Sequence, residues 1–289
     1  MRALKIKAVL FLTFIPLAIL FPGSALGSNI SFSLRLYGGL NYISGGDLNE
    51  GLKGVNDYYA KYFWYFGLTK SGGEYRPVHR GVNYGGDFII HMTPNIGIGF
   101  GADYLQGTSE STVTFTPVAA VDKTTAEVSA IPLRFGLYFT LPAGAFINFN
   151  VHVGLGYYLA KISYDFRSSV PGSWERLSVQ AEAKGLGYHG GIGLELKFSP
   201  AISLFLEGLG RYASISGFEG SGEKTDSYGS HGLDNGKLYY YKTYSGILGT
   251  FSAIFVHGTE PSGSSLSSVR EAKIDFSGFS AFAGIIIHF

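Results

Sequence analysis

Ile147-Asn148-Phe149-Asn150-Val151-His152-Val153-Gly154-Leu155-Gly156-Tyr157 alternates without a break. Successive side chains of an extended chain point to opposite faces. Ile147, Phe149, Val151, Val153, Leu155 and Tyr157 therefore share one face, and Asn148, Asn150, His152, Gly154 and Gly156 the other. The same split recurs at 32–42, 84–92, 96–104, 131–141, 188–198, 202–212 and 279–289, which makes eight predicted strands. In each of them the bulky face carries no charge, while the opposite face is mostly polar or small. A soluble sandwich would show the same period with its polar face turned to water, so the strand ends must decide.

Tyrosine gathers at one end of the apolar face: Tyr42, Tyr84, Tyr104, Tyr157, Tyr188 and Tyr212. Phe32, Met92, Ile96, Ile147, Phe198 and Ile202 mark the other end. Strands of this length match the roughly 9–11 residues that a tilted strand needs to cross a bilayer. Tyrosines at one height on a lipid-facing surface form an interfacial aromatic girdle. Strands four and eight depart from it, with Ile131 and Phe279 at that level. The connections agree. The tight turns are 93–95, 142–145 and 199–201, all at the Phe/Ile end, whereas about 43–83, 105–130, 159–187 and 213–278 separate strands at the Tyr end. Short turns on one side and long loops on the other is the arrangement of an outer-membrane barrel. The fold expected is thus all-β, a transmembrane antiparallel up-and-down barrel of eight strands with short periplasmic turns and long extracellular loops.

Register has an energetic check. With the bulky face outward, a polar lumen core receives Arg35, Asp87, Asp103, Arg134, Glu195, Lys197, Glu207 and Arg211. A one-residue slip would present four cations to lipid, at roughly 2–4 kcal/mol each near the midplane. That penalty approaches or exceeds the whole stability of an ordinary domain, about 5–15 kcal/mol.

Composition excludes several functions. The chain has 289 residues, 42 of them Gly and none Cys, with 22 Lys+Arg against 21 Asp+Glu. A near-neutral chain lacks the basic field that nucleic acid requires. Without cysteine there is no disulfide, thiolate metal site or cysteine nucleophile. Arg2, Lys5 and Lys7, the apolar run 8–21 and the small residues before Ser28 have the layout of a cleavable signal peptide at 1–27, leaving 28–289 as the barrel domain.

The mature chain resembles the small eight-stranded outer-membrane barrels, the family of the OmpA transmembrane domain, OmpX and OmpW. The resemblance spans 28–289 and rests on pattern, so it implies fold and location in a bacterial outer membrane rather than activity. The C-terminal strand ends in outward Phe289, similar to the terminal signal that the barrel assembly machinery reads in this family. No peptidoglycan-binding domain of the OmpA type is expected. The expected partners are outer-membrane lipid and that machinery, with an extracellular ligand or a small hydrophobic molecule as cargo, and the expected state is a monomer.

An eight-stranded barrel has a bore that side chains fill or that holds one small ligand. Tyr37, Tyr138 and Tyr158 fill space beside the charges, while inward Gly97, Gly99, Gly101, Gly136, Gly154, Gly156, Gly191, Gly193 and Gly284 either allow close packing or leave a conduit. Phe205, Leu209, Phe282 and Ile286 also point inward and give a possible apolar lining; resemblance to OmpW-type barrels implies a hydrophobic passenger there. Pro132 cannot donate its ladder hydrogen bond. A bulge, the start of the regular ladder or a lateral gap would each account for it. His91, His152, His189 and His288 point inward from different strands, near Asp87 and Glu195, but no HExxH, GxSxG or calcium-loop motif accompanies them. The expectation is a protein without cofactor, metal or catalytic residues, whose inner charges, Glu195 with Lys197 and Arg134 among them, form structural pairs. An enzyme at the outer rim is the third alternative.

The long loops are aromatic. Asp47 and Glu50 give a start like a capping box, and Leu52, Val55, Tyr59, Phe63 and Phe66 follow at helical spacing, so 47–66 reads as an exposed short helix weakened by Gly51 and Gly54. Trp64 enlarges its patch. Tyr239, Tyr240, Tyr241 and Tyr244 mark the last loop, which then runs through the flexible stretch 261–265. These loops read either as strand extensions with a lid on the mouth or as an adaptable binding surface. The leading function is surface binding or structural support of the membrane, and the alternative is a narrow channel for a small, largely hydrophobic molecule.

Overall fold

The computed structural model describes residues 30–289; the signal-peptide reading of 1–27 lies outside them. Eight strands close a ring: β1 (Ser31–Ile43), β2 (Arg80–Thr93), β3 (Ile96–Thr116), β4 (Ala120–Pro142), β5 (Ile147–Val170), β6 (Ser173–Lys197), β7 (Ile202–Tyr212) and β8 (Gly278–His288). Every neighbouring pair is antiparallel, and β8 returns to β1 with Leu36 opposite Ile285. The expected register holds: Arg35 faces Asp87 across the β1–β2 ladder, and Leu155 stands opposite both Phe135 and Tyr188. The tight turns are closed by side chains, the Thr93 hydroxyl accepting from the Ile96 N–H at 3.1 Å and the Ser199 hydroxyl from the Ile202 N–H at 3.1 Å.

Much of what the sequence leaves as loop is strand. β3 to β6 run for 21, 23, 24 and 25 residues, far more than the 9–11 that cross a bilayer. Their outer halves stand above the girdle as a wall. β7 stops at Tyr212, and from there the free edge of β6 is taken by the strand Glu219–Asp226, which pairs in turn with His231–Ser245, itself paired with Gly249–His257. This added sheet and helix α1 (Asp47–Tyr65) complete an upper storey over the short side of the barrel.

Helix α1 corrects the expectation in two respects. It is not an exposed helix: Leu48, Leu52, Val55 and Phe63 are buried, and Gly51 and Gly54 lie flush against Ile254 and Ser252. A Cβ on Gly54 would stand 2.0 Å from the Ser252 carbonyl oxygen, so the residues that weaken the helix by propensity are the ones that let it seat on the sheet. Nor does a capping box form. Gly46 precedes the helix without a side-chain cap; the Asp47 carboxylate accepts instead from the Arg270 guanidinium and the Lys273 N–H, and Glu50 accepts from the Tyr240 hydroxyl at 3.1 Å.

The upper storey has an apolar core. Ala126, Val128 and Ala130 of β4, Ala160, Ile162 and Tyr164 of β5, and Val179, Ala181 and Ala183 of β6 point inward onto Leu48, Leu52, Tyr240, Ile254 and Phe276. A smaller cluster of Phe63, Leu68, Val113, Phe115 and Ala120 closes the top beside the far end of α1.

Candidate functional site

Two places in the molecule could carry function, the lumen within the membrane and the outer surface of the upper storey. In the lumen, β1, β2, β3, β4 and β7 bring Arg35, Asp87, Asp103, Arg134 and Glu207 into one buried network. Arg35 donates to Glu207 at 2.5 Å and stands 3.8 Å from Asp87; Arg134 donates to Asp87 at 2.6 Å and lies 3.1 Å from Asp103. Arg134 also donates to the Tyr37 hydroxyl. His152 reaches Glu207 at 2.9 Å and stacks on Tyr138 at 4.9 Å. Ion pairs out of water need further hydrogen bonds to offset desolvation. Here Tyr37 and His152 supply them, and the Phe205 ring lies 4.1 Å beneath the Arg35 guanidinium.

Inward glycines make room for these groups. A Cβ on Gly99 would stand 2.4 Å from the Tyr138 ring, and one on Gly191 2.2 Å from His152 Nε2. One on Gly284 would meet Phe205 at 2.7 Å. Their missing volume is thus occupied by neighbours. Phe205, Leu209, Phe282 and Ile286 pack with Tyr37 as a buried cluster.

Three of the eight polar residues lie apart from the network. Arg211 sits higher, donating to the carbonyl oxygens of Phe276 and Tyr42 at 2.8 Å each and to the Ser280 hydroxyl at 2.6 Å. Glu195 lies towards the periplasmic end, held by Asn148 and Asn150 at 3.1 Å each and by His288 at 3.2 Å rather than by Lys197 or Arg134. Lys197 is half-buried at the rim, outside the ion pairs, which corrects its place in the expected core. His91 and His288 bond to Ser33 and Ser203 around a pocket of about 20 Å³ at that end, enough for a water molecule. His189 is buried against His152, its ring nitrogens unpartnered. The ladder explains Pro132 by neither a bulge nor a strand start. Ala102–Leu133 and Leu105–Ala130 flank it in unchanged register, so the β3–β4 ladder skips the missing donor and resumes.

On the lipid face the girdle tyrosines meet in pairs across the ladders, Tyr84 with Tyr104 at 5.6 Å and Tyr188 with Tyr212 at 6.4 Å. Tyr42 stacks on Phe279 at 5.3 Å, so the phenylalanine at the tyrosine level continues the belt. Tyr157 lies outward between Leu133 and Leu186. Phe289 is exposed, its N–H bonded to the Phe32 carbonyl at 2.9 Å.

The outer surface is aromatic at the far end of α1. Tyr58, Tyr62 and Phe66 follow one another along the helix with ring centroids 6.2 and 4.9 Å apart, and Phe251 packs on Tyr58 at 4.5 Å. Trp64, 71% exposed, Tyr65 and Phe66 turn to solvent, and Tyr244 and Ile247 do so at the tip of the added hairpin. The base of this surface is fixed. Tyr59 donates to Glu175 at 2.7 Å, and its hydroxyl is held far above its ordinary pKa by burial and then by that carboxylate.

No family model matches the sequence, and the search of curated proteins gave no match. Among solved structures the chain is similar to the outer membrane protein OprG from Pseudomonas aeruginosa, 12% identical, with 91% of this chain and 96% of that one covered and a TM-score of 0.39. It is also similar to the outer membrane protease OmpT from Escherichia coli, 10% identical over 92% of this chain and 99% of that one, TM-score 0.28. The closed ring with its apolar belt makes the chain a β-barrel of the outer-membrane kind.

Proposed function

We propose that the protein is a non-enzymatic barrel of the bacterial outer membrane that binds a partner outside the cell through the aromatic end of α1 and the adjoining hairpin tip. The observation that carries this reading is the exposure of Trp64, Tyr65 and Phe66 at the end of a helix whose other face is locked into a core. Large contiguous apolar exposure marks interaction sites, and rigid aromatic anchors contribute most to such contacts. Passage through the lumen has less support. Ion pairs and packed rings fill the bore at one level, and α1 with the added sheet fills it at another. An enzymatic reading is weaker still, because His152 and His288 hold structural carboxylates and Ser203 shares the same His288 nitrogen as Glu195. The barrel assembly machinery, reading the strand that ends at Phe289, and outer-membrane lipid remain the other proposed partners.

The test is display of the full chain on cells and measurement of adhesion to three probes: protein-coated, glycan-coated and bare polystyrene surfaces. A Trp64→Ala/Phe66→Ala double variant should lose at least about tenfold of the adhesion to whichever surface the parent binds, equal to about 1.4 kcal/mol. Adhesion of the double variant at the parent's level on every surface would remove the proposal.

A further inference from the structure

β4 turns Asp122 into the interior of the upper storey beneath α1, and no cation faces it. It is 1% exposed, and neither carboxylate oxygen has a donor in good hydrogen-bond geometry. Ser168, directly across the β4–β5 ladder, is the nearest hydroxyl by register. On the other side Val113 faces Asp122, and Ser111 and Thr124 form the adjacent inward pair. Ser111 Oγ is likewise buried without a partner. From α1, Asn56 reaches the adjacent Thr124: its amide donates to the Leu52 carbonyl at 2.8 Å and to Thr124 Oγ1 at 3.0 Å. All five residues are buried.

The cations of this region are engaged elsewhere. Lys123 points outward to Glu110 at 2.8 Å, Arg176 pairs with Asp165, and Arg167 lies 5.0 Å over the Trp174 ring. Lys224 takes Glu175 at 2.8 Å, the carboxylate that also receives Tyr59. Burial pushes the Asp122 carboxyl up to about 7, with Ser168 opposing the rise. An ionised carboxylate out of water costs several kcal/mol unless a counter-charge compensates it.

From these contacts we infer that Asp122, with the oxygens of Ser111, Thr124, Ser168 and Asn56, forms a site for a monovalent alkali cation. The donors are all oxygens, the set that hard cations take, and the cluster contains no imidazole or thiolate for a transition metal. One carboxylate among neutral oxygens balances a single positive charge, whereas calcium sites draw on several carboxylates. Ser168 stands directly across a ladder from Asp122, about 4.5–5.5 Å away at Cβ, and the Ser111–Thr124 pair is the next inward one, about 7–8 Å away on the diagonal, so their side chains converge on one place. Its effect would be to tie β3, β4 and β5 to the middle of α1, the helix that presents the aromatic surface. The inference does not depend on what that surface binds.

The experiment is hydrogen exchange on the full chain folded in detergent micelles, following the amides of 47–65 in equimolar NaCl, KCl or choline chloride. At about pH 8.5, where the carboxyl is ionised, sodium or potassium should slow exchange in that segment by about tenfold relative to choline. At about pH 5 the difference should shrink, because the protonated acid no longer attracts a cation. Asp122→Asn should abolish the salt difference at both pH values. Ser168→Ala, which keeps the carboxylate, should move it to higher sodium concentration. Equal exchange of the parent protein in the three salts at the higher pH would overturn the site. So would a response to calcium that exceeds the one to sodium at equal concentration.

Discussion

The inner and outer halves of β5 are one continuous strand with opposite interiors. From Ile147 to Leu159 the outward side chains are apolar, and the inward ones are Asn148, Asn150, His152, Gly154, Gly156 and Tyr158. Beyond Leu159 the same outward face reads Lys161, Ser163, Asp165 and Arg167, and the inward face reads Ala160, Ile162, Tyr164 and Phe166. Neither the register nor the direction of any side chain changes; what changes is the solvent outside. In lipid the outer surface must be apolar, so polar groups collect inside and must satisfy one another. In water the ordinary preference returns, and the inside becomes an apolar core. β6 makes the same exchange between Leu186 and Lys184. The protein is thus a membrane barrel that becomes a soluble domain part-way along its strands.

This comparison can be broken from either side. The largest effect is expected at the centre of the polar interior. Arg134→Met leaves Asp87 and Asp103 buried with one cation fewer, and should cost about 3–5 kcal/mol in urea unfolding from lipid vesicles. In the apolar interior, Ile162→Ala should cost about 2–4 kcal/mol through lost burial and a cavity. Proteolysis should locate that loss in the upper storey, with the membrane ring still resistant. On the outward face of β5, Val153→Lys places a charge in lipid and should cost about 2–4 kcal/mol, whereas Ser163→Lys should stay within about 0.5 kcal/mol. Equal costs at the two positions would mean that the boundary between the halves is misplaced. Arg270→Ala releases the tie to Asp47 at the start of α1. Because the guanidinium is 42% exposed and screened, its loss should cost only about 1 kcal/mol, read as faster exchange in the first turns of the helix.

The membrane half was legible in the sequence because the bilayer imposes length, alternation and interfacial tyrosine together. Arg35, Asp87, Asp103, Arg134 and Glu207 could be assigned to the lumen from parity alone. Parity does not give height along the barrel, so Lys197 and Arg211 were grouped with residues from which the strand tilt separates them. The upper storey was less legible for a physical reason. Val128, Ile162 and Val179 alternate with Glu127, Lys161 and Gln180 as in any soluble strand, and the alternation adds nothing at the point where the solvent changes. Gly51 and Gly54 argued against a helix by propensity, while their role depends on Ser252 and Ile254, two hundred residues distant in the chain. Asp122 carried no signal at all: it became notable only when the fold showed Lys123 facing outward and no cation facing Asp122.

The central claim is that the solvent changes between Leu159 and Lys161 on the outward face of β5. Because the chain has no cysteine, single cysteines can be placed at Phe149, Val153, Tyr157, Lys161 and Asp165 and spin-labelled without background. Collision rates with oxygen, which concentrates in lipid, and with a water-soluble nickel complex then report the depth of each label in vesicles. The account predicts oxygen-dominated collisions at 149, 153 and 157 and nickel-dominated collisions at 161 and 165. Oxygen dominance continuing through 165, or nickel dominance already at 153, would contradict it.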